Sequence, residues 1–226
     1  MWKKVKSNKN GELTKLIFMV KTIIAKLNKD NIKKAARIIR KGGLIIYPTE
    51  TCYGLGADAT NVKAIKRVYK VKKRPYSKPI HIIVSSLQMM EKYGEITKEI
   101  RFLVKKFMPG PLSIVTRKKK TIPRVLNPKE ITFRIPGNSA ALRLVKEAKI
   151  PITATSANIS KQPPLYKIKD VIKNFENKLE MILDCGNLKK VKPSTFIDMK
   201  SKPKILREGP IKGKTILKEL EKFKTK

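Results

Sequence analysis

The feature that most constrains this chain is a short apolar run with a hard stop. Leu44 to Tyr47 is long enough for a buried strand and too short for a buried helix. Pro48 follows and cannot donate to a strand ladder, so the ladder is expected to end there. After it come Thr49, Thr51, Gly54 and Gly56, a cluster of small hydroxyl residues and glycines read as a loop. Such a loop can turn backbone N–H groups and hydroxyls toward a ligand, or it can be an ordinary turn.

The same punctuation recurs. Strands are expected over 22–27, 79–84, 112–116, 131–135, 151–155, 181–184, 195–199 and 204–206. Helices are expected from Asn28 or Asp30 with Ile32, Ala35, Ala36 and Ile39 on one face, and from Asn61 with Val62, Ile65, Val68 and Tyr69. Others should run over 86–93, 97–107, 139–149, 168–175 and 215–223. Gly42-Gly43 and Pro109-Gly110-Pro111 are breaks. Irregular alternation of strands and helices predicts a single α/β domain with a twisted mixed sheet flanked by helices, over residues 21–226. Residues 1–20 read as a basic arm.

The chain has 226 residues and carries 54 Lys and Arg against 17 Asp and Glu, a formal charge of +37. A field of that sign attracts nucleotides, RNA or acidic surfaces. Cys52 and Cys185 stand far apart, a spacing that suits neither a disulfide framework nor a zinc site. No apolar run approaches about 18 residues, so no membrane span is expected. A cytoplasmic protein follows.

Several strand ends lead into small, polar or basic residues: Lys72 to Pro79, Met108 to Ser113, Ser156 to Ser160, Pro193 to Thr195 and Arg207 to Gly209. Ligands collect at strand ends in α/β sheets. Converging, these loops would offer Lys72, Arg74, Lys78 and Arg207 beside Thr49, Thr51, Ser113, Ser156, Asn158 and Ser194, which suits a phosphate-bearing ligand. There is no P-loop and no Gly-x-Gly-x-x-Gly opening a helix. The one histidine, His81, sits in an apolar strand and reads as packing. No metal-ligand cluster is evident. An enzyme of this kind would position reactants and neutralise charge, without a dedicated protein base.

Seven segments, taken in order, resemble the YrdC family of threonylcarbamoyl-AMP synthases: Tyr47 to Thr51 with Tyr53 to Gly56, Lys72 to Pro79, Pro109 to Ser113, Arg134 to Pro136, Ser156 to Ser160, Ser194 to Asp198 and Ile205 to Gly209. The resemblance implies a large, open, basic concave cavity. It also implies a nucleotidyltransferase that makes threonylcarbamoyl-AMP and pyrophosphate from L-threonine, bicarbonate and ATP with Mg2+, for threonylcarbamoyl modification of adenosine in tRNA. By motif, Thr51, Arg117, Ser156 and Ser194 would bind threonine, and Lys72 and Arg74 would hold phosphates and developing charge. Lys78, Ser113, Asn158, Tyr166 and Arg207 would line the nucleotide side. The chain would be the short, single-domain type and would pass its product to a threonylcarbamoyl-transferase complex. The alternative is a protein that binds double-stranded RNA or tRNA without catalysis. A maturation module cut from a larger enzyme is a third and weaker alternative.

Overall fold

The computed structural model describes residues 20–225. The basic arm expected over 1–20 therefore lies outside the described residues, apart from its last position.

In chain order the elements are β1 (Ile23–Lys26), α1 (Lys29–Arg40), β2 (Ile45–Pro48), β3 (Tyr53–Gly56), α2 (Val62–Lys72), β4 (His81–Ile83), α3 (Leu87–Tyr93), α4 (Lys98–Phe107) and β5 (Leu112–Arg117). Then come β6 (Glu130–Arg134), α5 (Ser139–Ala148), β7 (Ile152–Ser156), α6 (Ile168–Phe175), β8 (Met181–Asp184), β9 (Thr195–Asp198), β10 (Lys204–Arg207) and α7 (Gly213–Lys224). The strands form one mixed sheet in the order β1-β8-β2-β3-β7-β4-β6-β5-β9-β10. Four pairs are parallel (β1 with β8, β8 with β2, β4 with β6, β5 with β9) and the other five are antiparallel.

The helices start where side chains can cap them. Asn28, Asn61, Ser86, Thr97 and Asn138 each accept from a backbone N–H in the first turn. Strand alternation then divides the core. Leu44, Ile46, Leu55, Ile82 and Phe133 pack on one face with α2, α3, α4, α6 and α7. Ile45, Tyr47, Ile83, Ile152 and Leu183 pack on the other, under α1 and α5.

One expectation is corrected. The ladder does not stop at Pro48, which pairs with Tyr53, and Gly54 and Gly56 are strand residues. The segment is a β-hairpin whose four-residue turn, 49–52, is closed by Thr49 N–H donating to the Cys52 carbonyl (3.1 Å). β3 pairs next with β7. Gly56 serves packing: a Cβ there would approach Cε1 of Tyr47 to 2.8 Å and collide with Ile152. The glycines signalled close approach within a sheet, and a loop-like composition concealed it.

Candidate functional site

The α1–α5 layer covers only part of its face of the sheet. Over the rest, the strand ends leave a cavity of about 440 Å3. Its floor is β4, with His81 and Ile83, and Ala154 of β7. The β2–β3 turn forms one wall with Thr49, Glu50, Thr51 and Cys52. Arg74, Ser113, Arg134, Ser156, Tyr166, Ser194, Phe196 and Arg207 close the others.

The turn wall is hydrogen-bonded to itself. The Thr49 hydroxyl donates to the Cys52 carbonyl (2.7 Å), accepts from Thr51 N–H (3.1 Å) and lies 3.1 Å from the Thr51 hydroxyl. Glu50 accepts from Gly137 N–H (2.8 Å) and forms an ion pair with Arg134, whose Nε donates to the Gly110 carbonyl (3.1 Å). Oε2 of Glu50 is buried with no hydrogen-bond partner among the described residues. Burial pushes the Cys52 thiol up, which keeps it protonated.

Beneath the cavity, Lys72 occupies the last turn of α2 and is 1% exposed. Its ammonium donates to the Ser156 carbonyl, the Asn158 carbonyl (2.8 Å) and Asn158 Oδ1 (3.0 Å). The Lys72 carbonyl in turn accepts from Ser160 N–H (2.7 Å). Asn158 Oδ1 also accepts from the Ser156 hydroxyl (2.5 Å), and its amide donates to Gln162 O. All three Lys72 donors are thus engaged in shaping the loop that leaves β7. Burial, and then the charge of Arg74, pull its pKa down to about 7.

The far wall presents charge. β10 is bulged between Ile205 and Arg207, and the shift sets Arg207 opposite Phe196. The guanidinium carbon lies 4.1 Å from the Phe196 ring centroid, while Nε and Nη2 donate to the Ser194 carbonyl (3.1 and 2.8 Å). Gly209 makes this possible, since a Cβ there would meet the Pro193 carbonyl and Thr195 N. The Ser194 hydroxyl is 2.9 Å from that of Ser113. His81 meets the same Phe196 edge-on, with centroids 4.7 Å apart. Burial, then Arg207 and Arg74, lower the His81 pKa to about 4, so its ring is neutral at pH 7. Arg74 closes its own turn by donating to the carbonyls of Lys78 (2.9 Å) and Pro79 (2.8 Å).

Of the residues expected from sequence, Thr51, Arg74, Ser113, Ser156, Tyr166, Ser194 and Arg207 come together on the lining. Lys72 and Asn158 stand behind it, holding Ser156. Lys78 is exposed and reaches the site through its carbonyl. Arg117 is not brought in: it is exposed at the far end of β5, paired with Glu130, while Ser113 at the near end faces the cavity. Four residues of strand separate the two, roughly 13 Å. The cation at the near end is Arg134, four residues after Glu130 on β6. Reading the residue that pairs beside Ser113, and not the one four places along its own strand, would have found it.

His81, Glu50 and Phe196 were also missed as lining residues. Alternation along β4 puts His81 on the same face as Ile83, which was the available signal. Glu50 is the one carboxylate among the lining residues, and it is already paired with Arg134. Among the described residues no three His, Cys, Asp or Glu cluster as metal ligands, and no helix is long and apolar enough to cross a membrane.

The chain is similar to several known proteins. The sequence profile described as "Telomere recombination", for Sua5, YciO and YrdC, matches residues 37–209. The threonylcarbamoyl-AMP synthase of Pyrococcus abyssi is 38% identical over 194 residues, which is 84% of this chain and 56% of that protein. A putative threonylcarbamoyl-AMP synthase of Methanocaldococcus jannaschii is 35% identical over 194 residues, 83% of this chain and 92% of the relative. The crystal structure of P. abyssi Sua5 complexed with L-threonine superposes with a TM-score of 0.80 at 36% identity, covering 88% of this chain and 60% of that one. The chain thus spans little more than half the length of the Pyrococcus relative and nearly all of the Methanocaldococcus one.

Proposed function

The chain belongs to the Sua5/YciO/YrdC family, and from that premise we propose that it is an L-threonylcarbamoyladenylate synthase. L-Threonine, bicarbonate and ATP would give threonylcarbamoyl-AMP and pyrophosphate in the cytoplasm. A transferase partner would then carry the threonylcarbamoyl group to adenosine in tRNA. The observation that carries this reading is one cavity with a hydroxyl wall at Thr51, Ser156 and Ser194, and fixed cations at Arg74, Arg134 and Arg207. A threonine complex of the Sua5 relative supports the amino-acid half.

The reaction asks little acid–base chemistry of the protein. The free threonine amine bonds to the bicarbonate carbon, and hydroxide leaves with an amine proton as water, giving a carbamate. One carbamate oxygen attacks the α-phosphorus, the bond to the bridging oxygen breaks, and pyrophosphate leaves. The nucleophile belongs to the substrate, which suits a site whose only histidine is neutral at pH 7. Thr51, Ser156 and Ser194 would hold threonine, with Arg134 at its carboxylate in the role assigned from sequence to Arg117. Arg74 and Arg207 would take the phosphates and the charge that develops on them. Ser113 and Tyr166 would line the nucleotide side, Lys78 would flank it, and Lys72 and Asn158 would keep Ser156 in place. Mg2+ would arrive on the triphosphate, since the lone lining carboxylate is engaged with Arg134.

The test is pyrophosphate release from ATP with and without L-threonine and bicarbonate. Release that needs both supports the synthase. Release without threonine would indicate another adenylation. ATP binding with no release would favour the RNA-binding alternative.

A further inference from the structure

Outside the cavity, the turn that follows α2 carries an exposed tyrosine on a rigid support. Tyr76 is 58% exposed, unusually high for an aromatic ring. Its ring lies 4.6 Å from that of Tyr69, tilted by 44°. Tyr69 is itself 1% exposed, and its hydroxyl donates to the carbonyls of Lys78 and Leu126 (both 3.3 Å). The turn is closed by Lys78 N–H donating to the Pro75 carbonyl (3.1 Å), by Arg74 N–H donating to the Tyr69 carbonyl (2.9 Å), and by the Arg74 side chain. Pro75 fixes one more backbone angle. The ring thus stands in solvent on a hydrogen-bonded turn, with Tyr69 beside it.

The surroundings carry a single sign of charge. No Asp or Glu occurs between Asp58 and Glu91. Lys70, Lys73 and Lys78 are exposed around the turn, and Lys73 takes a left-handed conformation (φ 49°) at the end of α2. Exposed Arg124 lies two residues before Leu126, whose carbonyl Tyr69 binds.

We infer that Tyr76 is a stacking platform for an unpaired nucleobase of single-stranded RNA, with Lys70, Lys73, Lys78 and Arg124 meeting the flanking phosphates. A flat ring with an open face takes any base, and lysines around it track a backbone without reading sequence. A duplex cannot use the ring, because its bases are already stacked and paired; it can use only the cations. Lys78 also flanks the nucleotide side of the adenylation reading, so the test rests on Tyr76, Lys73 and Arg124, which that reading does not use.

The test is fluorescence anisotropy with a labelled ten-nucleotide oligouridylate, a duplex RNA of equal phosphate count and inorganic polyphosphate, each titrated over a salt series. Tyr76→Ala should weaken oligouridylate binding about tenfold. Its salt slope, polyphosphate affinity and duplex affinity should stay at wild-type values, and Tyr76→Phe should restore the single-strand affinity. Lys73→Gln with Arg124→Gln should instead lower the salt slope for all three probes, by about 0.7 per lost contact on the single strand. Pyrophosphate release by Tyr76→Ala should match wild type. Unchanged oligouridylate affinity in Tyr76→Ala would overturn the inference, and so would an equal loss for polyphosphate and duplex. Melting curves of both Tyr76 variants separate lost stacking from lost folding.

Discussion

Of the cations that donate to backbone carbonyls beside the cavity, Lys72 and Arg207 do so with opposite results. Lys72 is buried, and its three donors fold the Ser156–Asn158 loop. Arg207 is exposed, spends two donors on Ser194 and rests on Phe196. The first charge shapes the site from behind, while the second is presented to it. A compact ammonium can be satisfied by three converging oxygens. A planar guanidinium keeps an open face and spare donors after its fork is anchored. Basic residues beside this cavity therefore fall into two classes that composition alone does not separate.

That contrast can be broken first at Lys72. Lys72→Met should leave the buried Asn158 carbonyl without its donor and take one donor each from the Ser156 carbonyl and Asn158 Oδ1, lowering unfolding free energy by about 3 kcal/mol and abolishing threonine-dependent pyrophosphate release. A variant of wild-type stability by urea titration would show that the loop does not depend on this lysine. Ser156→Ala removes one hydroxyl bond, worth about 1 kcal/mol of stability, and should cost turnover at least about tenfold if the hydroxyl touches substrate. Arg207→Ala should differ from Lys72→Met in stability: turnover again falls, by about tenfold or more, but stability changes by no more than about 1 kcal/mol. Equal stability losses in Lys72→Met and Arg207→Ala would erase the distinction.

The narrowest effect is in pH, confined to acid conditions. The folded-state pKa of His81, about 4, lies below its ordinary value of 6.5. Between those values the unfolded chain binds more protons, so stability rises with pH. The His81 contribution is full above about pH 6.5 and is lost as pH falls through about 4. His81→Phe, which keeps a ring against Phe196, should flatten the melting temperature over that window and leave it unchanged at pH 7. A slope identical to wild type would assign the acid limb to other groups.

Much of this was legible in the chain. Helix caps at Asn28, Asn61 and Asn138 are local, and local chemistry survives translation into structure. Thr51, Ser113, Ser156, Ser194 and Arg207 could be gathered because each lies at or beside one end of a recognisable strand. Arg117 and Arg134 show where that logic fails. Which arginine sits beside Ser113 depends on the β5–β6 register, a pairing between strands that a single segment does not encode. β3 was hidden because Tyr47 and Ile152 demand glycine where a strand ordinarily prefers branched side chains. His81 reads as packing because it sits in an apolar strand, but its face of that strand, shared with Ile83, is the one that floors the cavity.

The cavity has a mechanical consequence. Its lining reaches from Tyr47 to Arg207 and draws on β2, β3, β4, β5, β6, β7, β9 and β10. A molecule seated there touches eight of ten strands and splices the hairpin near one edge to the bulged strand at the other. Occupancy should then act as a cross-brace. Amide hydrogens far from the ligand, in the centres of these strands, should exchange more slowly once it binds, because local openings that part β10 from the hairpin wall must first release it.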